Sequence, residues 1–172
     1  MMYSLIHTVL EKEGFKDIRI TGKSFVTAVD RSGEEKIIAY QVLRRSGYYT
    51  AIPERVRKVL ASNKNSLYFL ILVDREEGTL TYAGISGEAF CGGIFEIVNN
   101  ISKERARKLI MTMLKNEDPN LKYFGEMSLS EVKEIEEVKL VTRLFSNYTI
   151  FIPRNLGLKP GDRLEVVIRP VK

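Results

Sequence analysis

Residues Leu67 to Val73 read Leu-Tyr-Phe-Leu-Ile-Leu-Val, an unbroken apolar run bounded by polar clusters. A strand with one wet face alternates apolar and polar residues. A run without alternation predicts a strand covered on both faces, and so a central one. Whatever else the chain forms has to supply cover for both sides of this strand.

The flanking sequence supplies candidates. Leu5, Val9 and Leu10 recur at helical spacing ahead of Gly14, which predicts a first helix from Tyr3 to Glu13 with a glycine stop signal. A strand is expected around Asp17 to Thr21. Ser24 to Asp30 alternates, Arg31-Ser32-Gly33-Glu34 carries turn chemistry, and Lys36 to Leu43 is apolar again, which predicts a β-hairpin. Tyr48 to Ile52 reads as a short strand or loop. Pro53 suits the first turn of a helix running to Ala61. After the central strand, Asp74 to Gly78 reads as a tight turn into a strand from Thr79 to Ile85. Ser102 and the apolar positions Ala106, Leu109, Ile110, Met113 and Leu114 describe a capped amphipathic helix to about Asn116, stopped by Asp118-Pro119-Asn120. The acidic stretch from Gly125 to Glu137 reads as a linker. Val138 to Leu144, Thr149 to Pro153 and Arg163 to Arg169 are three short β runs. In the turn Lys159-Pro160-Gly161-Asp162, Pro160 presets φ and Gly161 takes a positive φ.

The expected fold class is therefore α/β in the α+β sense: a mixed sheet flanked by helices, with a small C-terminal β-hairpin or barrel-like module. The expected organisation is an α/β domain over residues 1–124, an acidic linker over 125–137 and a β module over 138–172.

Composition narrows the function classes. Of 172 residues, 44% are hydrophobic and 28% charged, the balance of a globular chain. No apolar run nears the roughly 20 residues that span a bilayer, so no membrane role is expected and the expected setting is cytoplasmic. The one cysteine, Cys91, forms no internal disulfide and no thiolate cluster, and one histidine, His7, leaves little scope for zinc. The net charge of +5 leans toward polyanions, although Lys/Glu-rich surfaces with few glutamines also mark thermophile proteins.

Motifs for chemistry are sparse. Gly84, Gly87, Gly92 and Gly93 follow a strand but match neither a phosphate loop nor G-x-G-x-x-G. Cys91 has an apolar neighbour and no histidine partner, the setting of a buried structural thiol. Glu34-Glu35 and Glu76-Glu77 fall in turns. The basic side of the later helix, with Lys103, Arg107 and Lys108, suits a phosphate backbone or simply water. Tyr40, Tyr48, Tyr49, Tyr68, Phe69 and Tyr82 interleave with Arg44, Arg45 and Arg55, the composition of a base-stacking surface or of a packed core.

Two family resemblances follow from these residues. Ile150-Phe151-Ile152-Pro153, then Leu156-Gly157-Leu158-Lys159-Pro160-Gly161-Asp162-Arg163-Leu164-Glu165-Val166, resembles the AbrB family of swapped-hairpin transcription regulators. The resemblance covers the last quarter of the chain and implies a homodimer through the C-terminal module. It also implies DNA contact, with Arg143 and Arg154 at the matching basic positions. From Tyr3 to Ser86, the order of elements resembles the restriction-endonuclease-like fold, whose nucleases hold Mg²⁺ with an Asp and an Asp/Glu-x-Lys motif. Laid on this chain, those positions fall on Ser24 and Gln41-Val42-Leu43, which lack the carboxylate and the ammonium. The resemblance then implies a relative retained for binding.

The leading expectation is a nucleic-acid-binding or regulatory protein without catalytic activity or cofactor, using Arg44, Arg45, Lys103, Arg107, Lys108, Arg143 and Arg154 on DNA. The alternatives are a Mg-dependent nuclease with a migrated site built from Asp30, Glu35, Gln41 and Arg44, and a protein-interaction scaffold.

Overall fold

Every residue of the apolar run is buried, and the sheet forms around it. The structure, a computed structural model, describes residues 2–44, 54–94, 108, 112, 121–135 and 137–171. In chain order its elements are α1 (Met2–Lys12), β1 (Lys16–Gly22), β2 (Phe25–Val29), β3 (Glu35–Arg44), α2 (Glu54–Ser62), β4 (Ser66–Asp74), β5 (Thr79–Ser86), α3 (Gly87–Ala89) running into a π-helical turn at Phe90–Ile94, and β6 (Leu121–Ser128). The six strands lie in sequence order across one mixed sheet. Only β3 and β4 pair in parallel, the remaining neighbours being antiparallel. A parallel neighbour demands a crossover rather than a hairpin, and α2 lies in it. No described helix is long and apolar enough to cross a membrane.

Alternation along β4 divides the core. Leu67, Phe69, Ile71 and Val73 enter one layer with Tyr3, Ile6, Val9 and Leu10 of α1. Tyr68, Leu70 and Leu72 enter the other with Val56 and Leu60 of α2 and Phe90. The helices stop by different means. At α1, Gly14 takes φ +86°. The Phe15 amide then donates to the Leu10 carbonyl at 2.9 Å and the Gly14 amide to Glu11 at 3.0 Å, the paired bonds of a Schellman end. At α2, side chains do this work. Asn63 Nδ2 donates to the Val59 carbonyl at 2.7 Å, and buried Ser66 Oγ meets the Leu60 carbonyl at 2.8 Å.

Among the described residues the expected helices, hairpin, turn and strands up to Ser86 form, whereas β6 departs from the expected linker. It runs to Ser128, four residues into the acidic segment. The reason is Gly125, which pairs with Tyr82 on β5. A Cβ at Gly125 would stand 2.5 Å from the Tyr82 hydroxyl, so the glycine makes room for a ring instead of loosening the chain. Beyond a 3₁₀ turn at Leu129–Glu131, Val132, Ile135, Val138 and Leu140 pack partly buried along the α1 layer. The segment then pairs briefly with the outer edge of β1: Ile20 donates to the Lys139 carbonyl, and Val141 to the Ile20 carbonyl, both at 2.8 Å.

From residue 142 onward the turns form without a strand ladder among the described residues. Phe145 and Thr149 close one turn at 2.9 Å and Lys159 and Asp162 another at 3.1 Å, with Gly161 at φ +95°. A 3₁₀ turn at Arg154–Leu156 sits between them, and Leu156 is buried in the α1 layer. The expected β-hairpin or barrel is thus present as its turns only. The basic helix expected from Ser102 and the segment Tyr48 to Ile52 lie outside the described residues, apart from Lys108 and Thr112, which are helical and exposed.

Phe69 ties three strands together. Its ring stacks on Tyr123 at 5.6 Å, meets Phe15 edge-on at 6.5 Å, and leaves a Cβ on Gly84 only 2.7 Å of clearance. Truncation by Phe69→Ala is expected to cost about 3–5 kcal/mol. Gly84→Val, which drives methyl groups into the ring, is expected to cost about 1–3 kcal/mol. Urea denaturation checks both through a lowered midpoint at unchanged m-value.

Candidate functional site

The residues expected around a nuclease centre do not converge. Asp30 serves its own turn, its Oδ1 accepting from the Ser32 amide at 2.9 Å, the Ser32 hydroxyl at 2.6 Å and the Glu34 amide at 3.0 Å. Those donors hold its carboxyl below the usual carboxylate range, the Ser32 hydroxyl first. Glu35 lies beside it, at the start of β3 and paired with Val29. Gln41 stands about 20 Å further along that strand at roughly 3.3 Å per residue. Its Oε1 accepts from the Tyr68 hydroxyl at 3.0 Å, and Tyr68 stacks on Phe90 at 4.1 Å. Arg44 closes β3 opposite Val73. Ser24 offers its backbone carbonyl to Tyr40 at 3.1 Å. A divalent ion needs ligands within about 2–2.6 Å, so Asp30, Glu35 and Gln41 do not fit one Mg²⁺. Among the described residues, no three His, Cys, Asp or Glu side chains gather to hold a metal.

The aromatic residues resolve toward packing. Tyr40, Tyr68, Phe69 and Tyr82 are buried in the two layers and offer no face to a base. Tyr48, Tyr49, Arg45, Lys103 and Arg107 lie outside the described residues. Cys91 is half-buried, with its sulfur 3.5 Å from the Arg57 carbonyl, and burial pushes its thiol up, away from thiolate chemistry.

A cavity of about 640 Å³ opens where α1, β1 and the linker meet, lined by His7, Glu11, Phe15, Asp17, Glu137 and Lys139. Several of its charges are already matched. His7 Nδ1 lies 3.3 Å from Glu11, Lys133 lies 3.9 Å from the same carboxylate, and Arg19 and Lys139 lie 3.1 and 3.3 Å from Asp17. Lys133 belongs to the linker and Lys139 to the start of the C-terminal module, so their pairs pin the linker to α1 and the module to β1. As partly exposed pairs they contribute at most about 1 kcal/mol each. Burial holds His7 below its usual range, against the opposing pull of Glu11. The cavity is the seam under the linker.

The feature that sequence reasoning missed is a partition. Residues 138–172 carry seven Lys or Arg against two Asp or Glu, a net +5, while residues 1–137 carry twenty of each. The entire net charge of the chain resides in the C-terminal module. Among the described residues, nearly all the exposed large apolar side chains reside there too. Of thirteen large apolar residues exposed among the described residues, Phe124 alone lies outside residues 144–171. Tyr148, Val167 and Ile168 are 86, 87 and 86% exposed. Arg143 and Arg154 are exposed in the same module. A charge count by segment would have revealed the first half of this pattern; the second half requires coordinates.

The sequence matches no protein-family model, and no curated protein or solved structure is similar to it at a significant level.

One titration is readable from the α1 layer. Burial pushes the Tyr3 hydroxyl up to about 12, with the charges of Tyr40 and Glu11 adding to it. The folded chain keeps this proton between pH 10 and 12, where the unfolded chain releases it. The contribution is therefore complete below pH 10 and is lost as pH rises toward 12, by roughly 3 kcal/mol over the two units at about 1.4 kcal/mol per pH unit. Urea denaturation at pH 9 and pH 11.5 should show Tyr3→Phe losing less stability over this interval than the parent chain.

Proposed function

We propose that this protein binds nucleic acid, DNA in the first instance, and acts as a regulator rather than a catalyst, through a C-terminal module that pairs with the module of a second copy. The observation that carries this reading is the coincidence, within residues 138–172, of the whole net charge with nearly all the large apolar side chains exposed among the described residues. Contiguous apolar surface beyond a few hundred Å² is uncommon on a monomer and marks an interaction site. A basic surface beside it points to a polyanion. The resemblance to swapped-hairpin regulators supports the choice of a second copy as partner, since the Lys159 to Asp162 turn is formed and ready to register a hairpin.

In this reading the apolar residues of two modules stack against one another, and Arg143 and Arg154 face phosphate, where a guanidinium fork makes paired hydrogen bonds. The sheet domain acts as the platform. Its element order supports a nuclease-like scaffold retained for binding, with Gln41 engaged to Tyr68 where a metal ligand would stand. The AbrB-like module belongs to the same proposal.

Exposed apolar residues allow a test that spares the fold. Phe151→Lys and Val167→Lys should leave the thermal transition unchanged and convert a dimer to a monomer in sedimentation equilibrium. Arg143→Ala with Arg154→Ala should leave the dimer intact and weaken duplex binding, lowering the slope of log K against log salt by about 1 for each lost phosphate contact. A chain that stays monomeric at 100 micromolar-scale loading and binds duplex no better than about 10⁻⁴ M at low salt would sink the proposal.

A further inference from the structure

We infer that pairing of two copies and binding of a polyanion are one coupled equilibrium, so that nucleic acid switches the assembly on. The inference rests on the paired-module reading above and adds its regulation. Each module brings +5, and residues 1–137, with twenty charges of each sign, bring no net charge to offset it. Little inside the module offsets it either. Lys139 is held by Asp17 at 3.3 Å, but Arg143, Arg154, Lys159, Arg163 and Arg169 form no ion pair among the described residues. Of the two acids, Asp162 accepts from the Lys159 amide at 2.8 Å within its own turn.

Joining two such modules brings ten net positive charges into the span of one small domain. The repulsion is long-ranged at low salt, where the screening length exceeds about 20 Å, and nearly gone at 0.3 M, where it is about 6 Å. Raising NaCl from 20 to 300 mM should therefore tighten the dimer on the order of tenfold. A duplex does the same work more locally. At one charge per about 1.7 Å of axis, about 17 Å of duplex matches ten positive charges. Linkage is reciprocal, so whatever factor DNA adds to pairing, pairing adds to DNA affinity.

Sedimentation equilibrium of the full chain tests this at 20 mM NaCl, at 300 mM NaCl, and at 20 mM NaCl with a 16-base-pair duplex. The expected result is a dimer tightened about tenfold by salt alone, and two copies recruited together to the duplex at 20 mM. The double substitution Arg163→Glu with Arg169→Glu lowers the module from +5 to +1. Both positions are exposed, and circular dichroism verifies the fold. The variant should dimerise equally at both salt concentrations and respond little to duplex. A parent dimer indifferent to salt and duplex overturns the coupling and leaves the paired module standing, while a monomer under every condition removes both. A variant that keeps the full salt response assigns it to salting-out of apolar surface and also overturns the coupling.

Discussion

Burial of β4 on both faces is the constraint from which the rest of the sheet domain follows. A strand with seven consecutive apolar residues is stable only between two covering layers, and its alternation assigns Phe69 and Ile71 to α1 and Tyr68 and Leu70 to α2. The two layers explain the connectivity. Helix α1 precedes the meander of β1, β2 and β3, so it covers one face. The parallel pairing of β3 with β4 requires a crossover, and α2 in that crossover covers the other.

The same constraint accounts for where the sheet carries glycine and where its polar side chains are engaged in packing. Rings filling the α1 layer need space across neighbouring strands, so Gly84 lies under Phe69 and Gly125 under the Tyr82 hydroxyl. On the α2 face, Gln41 anchors Tyr68, which in turn stacks on Phe90. A carboxylate at Gln41 would oppose a buried phenol with a charge that needs water or metal, and the neutral amide avoids that desolvation cost. The middle of the sheet is organised for packing, and the charged residues that remain, such as Asp30, stabilise its turns.

Much of this was legible in the sequence because the signals were local. The unbroken run at Leu67 to Val73, the periodicity of α1 with its Gly14 stop and the turn residues at Asp30 to Glu34 each have one dominant physical reading. The strand β6 was not legible, since Gly125 and Glu126 are turn-like and acidic by composition, and only the cross-strand position of Tyr82 explains them. Distance along the sheet was likewise not legible: spacing along the chain places Asp30, Glu35 and Gln41 on one hairpin, but the length of β3 lies between Glu35 and Gln41. In the C-terminal module, proline, glycine and aspartate chemistry located the turns, whereas the three expected β runs form no ladder among the described residues, strand pairing depending on contacts beyond local sequence.

The module's relation to the sheet domain gives the proposed assembly its mechanical meaning. Leu156 is buried against α1 and residues 139–141 pair with the edge of β1, so the module is tethered at two points while its apolar side chains face outward. An untethered tail with this composition would bury those side chains on the nearest apolar surface, but the nearest layers are filled by the chain's own core. Two anchors, Leu156 and the β1 edge, also limit how the sheet domains are carried when modules pair: each domain is held close to its own module instead of swinging on a long linker. Pairing would thus present two neutral sheet domains flanking one strongly basic centre, an arrangement that confines electrostatic contact with a polyanion to the module and leaves the domains available for shape-dependent contacts.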